Sequence, residues 1–332
     1  MFQNKTILIT GGTGSFGKKF TSVVLKKYKN VKKIIVFSRD ELKQFDMTQH
    51  YINSPNFNKL RFFLGDIRDK SRLNMAFKDV DIVIHAAAFK QVPSSEYNPL
   101  ETIKTNVFGT QNVVESCIDN KVEQLISLST DKASSPVNLY GATKLLADKL
   151  TVGAQNFKGK KKFISCVVRY GNVMASRGSI IPILFKKRNE KNIDLTHDKM
   201  TRFNISLLEA VNLVLLALKD GRGGEIFVPK LPSYRLVDLA RTISPKAKLR
   251  FKGIRPGEKI HEEMISYSES LNTVEYPNHY VMLPSFKDYS IDTYIKRNGG
   301  KKIKKQFSYT SDKNQNFLTI NQLKKIIYQD LD

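Results

Sequence analysis

Residues 5–27, KTILITGGTGSFGKKFTSVVLKK, run a β-branched apolar stretch straight into a glycine-rich turn and on into a helical pattern. That order admits few folds. A strand that ends on TGGTGSFG and opens a helix leaves helical amides and the positive end of the helix dipole at the strand terminus, where they suit a pyrophosphate. Gly11, Gly14 and Gly17 would supply a tight turn, close approach of backbone to the anion, and close helix packing, with Thr13, Ser15 and Phe16 in the same cradle. Its place after a first strand, in a repeating strand–helix pattern, makes the motif a dinucleotide site.

The alternation continues through VKKIIVFSRD, LRFFLGDIRD, VDIVIHAAAF, VEQLISLST and KKFISCVVRYGNV, with helical stretches such as NPLETIKTNVFGTQNVVESCIDN between them. Near-continuous apolar strands alternating with helices imply a parallel sheet covered on both faces. The expected fold is α/β, a doubly wound parallel sheet of the NAD(P)-binding Rossmann type with a smaller C-terminal substrate-binding cap. After about residue 173 the regularity weakens, apart from a helical stretch at 206–219. The expected domains are therefore residues 1–173, helped by about 202–229, and a cap from 174–201 and 230–332 over the strand ends.

Composition removes several classes. A chain of 332 residues with 41% hydrophobic and 26% charged content can bury a sizeable core. The longest apolar run, VNLVLLAL at 211–218, is far short of the ~18 residues of a membrane span. The N-terminus enters a strand without a signal-peptide pattern, so the expected location is cytoplasmic. Cys117 and Cys166 suit reduced core thiols, and the five His residues lack ligand spacing, so no metal is expected. The net charge of +24 comes from 55 Lys and Arg against 31 Asp and Glu, largely as scattered runs such as KGKKK at 158–162. Such runs read as solvated faces that also attract polyanionic ligands, not as a nucleic-acid module.

Ser38 and Arg39 in FSRDE, at the end of the second strand, favour the 2′-phosphate of NADP over the ribose diol of NAD. Asp66 and Ile67 stand where the third strand ends, a natural place for the adenine edge. Ala86, Ala87 and Ala88 let a cofactor lie against backbone, and His85 before them reads as structural. Tyr140 and Lys144 are spaced one helical turn apart, so the ammonium is expected beside the phenol, favouring phenolate.

These blocks together resemble the extended short-chain dehydrogenase/reductases, whose members act on nucleotide sugars. STDKASSPVNLYGATKLLADKL, RYGNVMASRGSIIP, MTRFNIS, GGEIFVPKLPS and GIRPGEKIHEEMI are similar to the inverting UDP-N-acetylglucosamine 4,6-dehydratases, which open the pathway to pseudaminic acid and related 6-deoxy amino sugars. The resemblance runs from residue 5 to about 265. Only nine residues (131–139) separate Thr130 from Tyr140, as in the inverting dehydratases, whereas most extended members set the pair much farther apart. In the glucose-nucleotide dehydratases the acid is Asp followed by Glu; here Lys132 replaces that Glu. Relatives also commonly have Leu for Phe89 and His for Gln91.

The resemblance implies NADP, tightly bound and recycled, and UDP-N-acetylglucosamine as substrate. Oxidation at C4 makes the C5 proton acidic enough to remove. Tyr140, assisted by Lys144, would take the 4-hydroxyl proton, with Thr130 hydrogen-bonding the developing oxyanion. Asp131, kept protonated by burial or a neighbouring charge, would donate to the departing 6-hydroxyl, and Lys132, if desolvated to neutrality, would take the C5 proton. Tyr170 and Gly171 are implied on the nicotinamide side, and Lys90, Asn106, Asn172, Arg202, Arg255 and Glu258 around the substrate. A homo-oligomer, dimer or hexamer, is implied, with no nucleic-acid or membrane partner. The alternatives are a nucleotide-sugar 4-epimerase, which needs neither Asp131 nor Lys132, and a non-catalytic dinucleotide-binding or nucleic-acid-binding protein.

Overall fold

The computed structural model describes residues 1–174, 179–285 and 290–329; residues 175–178 of the RYGNVMASRGSIIP block lie outside them. Six strands, β1 (Thr6–Thr10), β2 (Lys33–Ser38), β3 (Leu60–Leu64), β4 (Ile82–His85), β5 (Gln124–Thr130) and β6 (Ile164–Tyr170), form where the apolar runs predict them. They pair in parallel in the order β3-β2-β1-β4-β5-β6. The order reverses between β1 and β4, which opens a crevice beyond the C-terminal strand ends.

The helices of this half are α1 (Ser15–Lys27), α2 (Glu41–Tyr51), α3 (Lys70–Ala76), α4 (Val92–Tyr97), α5 (Pro99–Ile103), α6 (Gly109–Asp119) and α7 (Leu139–Phe157). Side chains of β1 alternate between two apolar layers, as the pleat requires. Ile7 and Ile9 pack with Phe20 and Val24 of α1 and with Val211 and Val214 of the helix Leu207–Asp220. Leu8 faces the other way, toward Leu73, Phe77, Val113 and Val114. Burying such side chains stabilises by roughly 1.5–3 kcal/mol each, which is why β-branched and leucine runs dominate these strands.

The sheet does not stop at β6. Ile226–Pro229 adds a further parallel strand, and the strands His279–Met282, Thr273–Glu275 and Lys301–Lys302 extend it antiparallel to ten strands. These last three come from the stretch that the sequence reading assigns to the cap. A third apolar cluster, with Met174, Leu184, Leu195, Leu236, Leu239 and Leu323, gathers residues beyond 173 into a separate small core. Among the described residues no helix is long and apolar enough to cross a membrane. No His, Cys, Asp and Glu group among them suits a metal, and Cys117 and Cys166 are buried free thiols.

Candidate active site

A cleft of about 950 Å³ runs along the strand ends from the glycine turn to the start of α7. At the turn, Gly11 has φ +65°, and a Cβ on it would lie 2.9 Å from the Ala87 backbone, so only glycine lets the first turn meet the loop after β4. A Cβ on Gly17 would collide with the Gly12 carbonyl, so this glycine seats α1 against the turn. Gly14, at the N-cap of α1, provides no side-chain cap, the arrangement an anion-binding helix start needs. Thr13, Ser15 and Phe16 line the cleft beside these glycines, and Ala86, Ala87 and Ala88 form the opposite wall.

At the outer end, Ser38 accepts hydrogen bonds from the Thr13 hydroxyl at 3.0 Å and the Asp40 amide at 3.3 Å. The Asp40 carboxylate caps α2 through the Lys43 amide at 3.0 Å and pairs with the Lys43 ammonium. Arg39 lines the cleft with its guanidinium 5.3 Å from the centre of the Phe89 ring and 3.3 Å from Asp66. Phe89, where relatives commonly have Leu, is thus the surface on which Arg39 lies. Ile67 lines the cleft, whereas the Asp66 carboxylate is taken up by Arg68 at 2.8 Å and by Arg39. The sequence reading missed Lys18 and Lys43, which bring further positive charge to this end.

At the inner end, β5 delivers Thr130 into a one-turn helix, Asp131–Ala133, and α7 follows after residues 134–138. Asn138 caps α7 by accepting from the Gly141 amide at 2.8 Å, and a Cβ on Gly141 would strike the Lys132 carbonyl. Turn and helix are therefore pressed together, with Thr130, Asp131, Lys132, Tyr140 and Lys144 on one cleft wall. Asp131 is fully buried and accepts from the Thr130 hydroxyl at 2.8 Å and the Lys132 ammonium at 3.0 Å. Burial raises its carboxyl above the usual range against the opposing Lys132 charge.

Two proton states depart from expectation. Burial lowers the proton affinity of Lys132, but the carboxylates of Asp131, at 3.0 Å, and Glu262, at 3.2 Å, outweigh it and hold the amine as an ammonium above the ordinary lysine range. The sequence reading required a neutral amine and missed Glu262. Burial also raises the Tyr140 phenol to about 12, and the charge that most opposes this is that of Lys132. The Lys144 ammonium donates to the Leu128 carbonyl at 2.7 Å, where burial lowers its affinity and Asp148 restores part of it. Lys144 thus lies on the expected helix face without making Tyr140 a phenolate. His85 is structural: its ring nitrogens meet the hydroxyls of Thr10 at 2.7 Å and Thr110 at 3.0 Å, and burial lowers it to about 3.

The remaining candidates divide. Lys90, Tyr170, Gly171 and Asn172 line the cleft, and burial lowers the Lys90 amine. Asn106 does not line it; it sits in a π-helical turn, Lys104–Phe108, and clasps both backbone groups of Phe89 at 2.8 and 3.0 Å while donating to Thr143 at 3.0 Å. Its side chain ties the loop after β4 to α7. Arg202, Arg255 and Glu258 also lie outside the lining. Arg202 is 3.4 Å from Glu262 and donates to the carbonyls of Thr201 and Ile260, while Arg255 stands exposed, 4.0 Å from Glu258.

Comparison with known proteins places the chain in a family. A family model described as polysaccharide biosynthesis protein matches residues 7–284. The chain is 50% identical, over 98% of both chains, to the UDP-N-acetylglucosamine 4,6-dehydratase (inverting) of Campylobacter jejuni subsp. jejuni serotype O:23/36 (strain 81-176). It is 42% identical to a UDP-glucose 4-epimerase of Rickettsia bellii (strain OSU 85-389), over 98% of this chain and 96% of that one. The X-ray structure of Pen from Bacillus thuringiensis superposes with a TM-score of 0.88 at 35% identity, covering 99% of each chain.

Proposed function

Since the chain belongs to the polysaccharide biosynthesis protein family, among the inverting UDP-N-acetylglucosamine 4,6-dehydratases, we propose that it removes water from UDP-N-acetylglucosamine and inverts C5. The product is a UDP-2-acetamido-2,6-dideoxy-hexos-4-ulose. The observation that carries this reading is an acid and an amine in adjacent positions, Asp131 and Lys132, on the same cleft wall as Tyr140 and Thr130. Incubation with UDP-N-acetylglucosamine should yield a sugar nucleotide lighter by one water with no net change in cofactor; an unchanged mass contradicts it.

Gly11, Gly14 and Gly17 at the turn and Ala86, Ala87 and Ala88 along the cleft would hold a nicotinamide dinucleotide, which would supply the hydride chemistry between C4 and C6. The rest falls to side chains. Tyr140 takes the 4-hydroxyl proton, and the neighbouring Thr130 hydroxyl and Lys132 charge favour its ionised form against burial. Asp131, whose buried carboxyl is drawn toward its protonated form, donates to the 6-hydroxyl as it leaves. The Lys132 ammonium first passes a proton to the Asp131 carboxylate 3.0 Å away, which leaves the amine free to take the C5 proton; the ammonium so formed can return a proton to C5. Arg202, Arg255 and Glu258 are assigned to a cap over the uridine diphosphate, beside Asn172 and Lys90 in the cleft.

The 4-epimerase reading draws on the Rickettsia relative. Epimerisation needs Tyr140, Lys144 and Thr130 but leaves the buried acid and amine of Asp131 and Lys132 without a task, so the dehydratase reading accounts for more of the site.

For the cofactor we propose NADP. Lys18 and Arg39 line the outer end, where Lys43 is paired with Asp40 and the Asp40 carboxylate also caps α2. Replacing Arg39 by Ala should weaken NADP binding by about 1.5–3 kcal/mol, the scale of a hydrogen bond to a charged group, with little effect on NAD. Equal losses for the two in a calorimetric titration contradict the assignment.

A further inference from the structure

Glu262 lies 130 positions from Lys132 in sequence, yet its Oε1 is 3.2 Å from the Lys132 ammonium. Its side chain is 2% exposed. Burial alone would push such a carboxyl up; Lys132 and then Arg202 overcome this and keep it ionised below the usual range. Arg202 is a fixed counter-charge, because its guanidinium is held by the Thr201 carbonyl at 2.7 Å and the Ile260 carbonyl at 3.0 Å. Oε2 of Glu262 and Oδ2 of Asp131 are buried with no hydrogen-bond partner among the described residues. The cluster therefore holds one lysine between two carboxylates of unlike character. Asp131 is drawn toward its neutral form, and Glu262 is held charged.

We propose that Glu262 is a positioning residue that fixes the Lys132 amine in the turn and sets how tightly it keeps its proton. The inference rests on the reading of Asp131 and Lys132 as the acid and base of a dehydration. In that step the C5–H bond breaks and its electron pair forms the C5–C6 double bond as the C6–O bond breaks. Asp131 gives its proton to the departing hydroxyl, making water, and the C5 proton passes to Lys132. A lysine held too firmly as an ammonium cannot accept that proton; one held too loosely cannot return it. Glu262 adjusts this balance from outside the reacting atoms.

The groups facing Lys132 come from five elements. They are Asp131 in its own turn, Tyr140 on α7, Arg202 on the strand Thr201–Ile205, Tyr234 on the strand Ser233–Arg235, and Lys259 with Glu262 ahead of the strand Glu263–Ile265. Of these, Asp131 and Glu262 raise its proton affinity and Arg202 lowers it. Removing one carboxylate at this distance should lower the midpoint by about one to two pH units, a ten- to hundredfold fall in affinity.

The test is NMR titration of the full-length protein carrying isotope-labelled lysine, with the Lys132 resonance assigned by its loss in Lys132→Met. Glu262→Gln should move the Lys132 midpoint down by that amount, Glu262→Asp should keep it near the native value, and Arg202→Gln should move it up. Should Glu262→Gln fail to fold, the opposite shift in Arg202→Gln carries the test. An unmoved midpoint in a folded Glu262→Gln, or shifts of the same sign in both variants, overturns the inference. The titration needs no substrate, so it stands apart from the dehydration assay. With UDP-N-acetylglucosamine, the rising limb of kcat/KM against pH should move acidward in Glu262→Gln; a lower rate with an unmoved limb marks a merely structural role and counts against the proposal.

Discussion

Lys132→Met should leave the first oxidation intact and stall the reaction there, so that reduced nicotinamide accumulates while the 6-deoxy product falls by ~10²–10⁴-fold, the usual contribution of a general acid or base. Methionine keeps the stem of the side chain, and Glu262 retains Arg202 as a counter-charge at 3.4 Å. Asp131 loses the cation that most lowers its proton affinity, which draws it further toward the protonated form that can donate. Tyr140→Phe should act earlier. It keeps the ring in its buried site and removes the one hydroxyl placed to take the C4 proton, so no reduced nicotinamide should appear on adding substrate. Stopped-flow absorbance of the nicotinamide separates the two variants. Equal nicotinamide signals from both would mean that Tyr140 and Lys132 do not divide the work in this way.

The largest stability effect is expected at Arg169. Its side chain is completely buried in β6, where it meets Asp148 at 3.2 Å, Glu269 at 3.0 Å and the Met264 carbonyl at 3.0 Å. It thus ties α7, which carries Tyr140 and Lys144, to the segment that leads out of the cap. Arg169→Met should cost about 3–5 kcal/mol in urea unfolding, because breaking a buried pair strands its partners. The pH dependence has a definite sign. Burial raises the Glu269 carboxyl but Arg169 outweighs it, so its folded value lies below the ordinary one. That group contributes stability present above the unfolded glutamate pKa, near ~4.3, and lost as pH falls through the folded value. In Arg169→Met this part of the acid-side loss should vanish, leaving a flatter stability profile below the glutamate range. A cost below about 1 kcal/mol would mean the network is not structural.

Legibility in the sequence followed the range of the interaction. The strands and the glycine turn are written in local patterns, and TDK followed by Tyr140 and Lys144 comes from one contiguous segment, so its members had to share a wall of the cleft. Glu262 was not readable. It stands among Glu258, Lys259 and Glu263 in EKIHEE, and nothing local says which carboxylate turns inward to meet a lysine 130 positions away. The proton state of Lys132 depends on that contact, so it was misjudged with it. Helical spacing placed Lys144 on the face of Tyr140, but spacing cannot show that the Leu128 carbonyl captures the ammonium. Asn106 was grouped with the substrate residues on resemblance alone, because its bonds to the Phe89 backbone are made across 17 positions and leave no local pattern. The strands Thr273–Glu275 and Lys301–Lys302 are too short to show a period-two pattern and are recognisable only by their partners.

The most direct measurement is the NMR spectrum of the product formed from UDP-N-acetylglucosamine by the native protein in deuterated water. The account predicts a 6-deoxy-4-keto sugar that carries deuterium at C5, with ring couplings of the inverted configuration. A 4-epimer that retains its 6-hydroxyl and has no deuterium at C5 would contradict it.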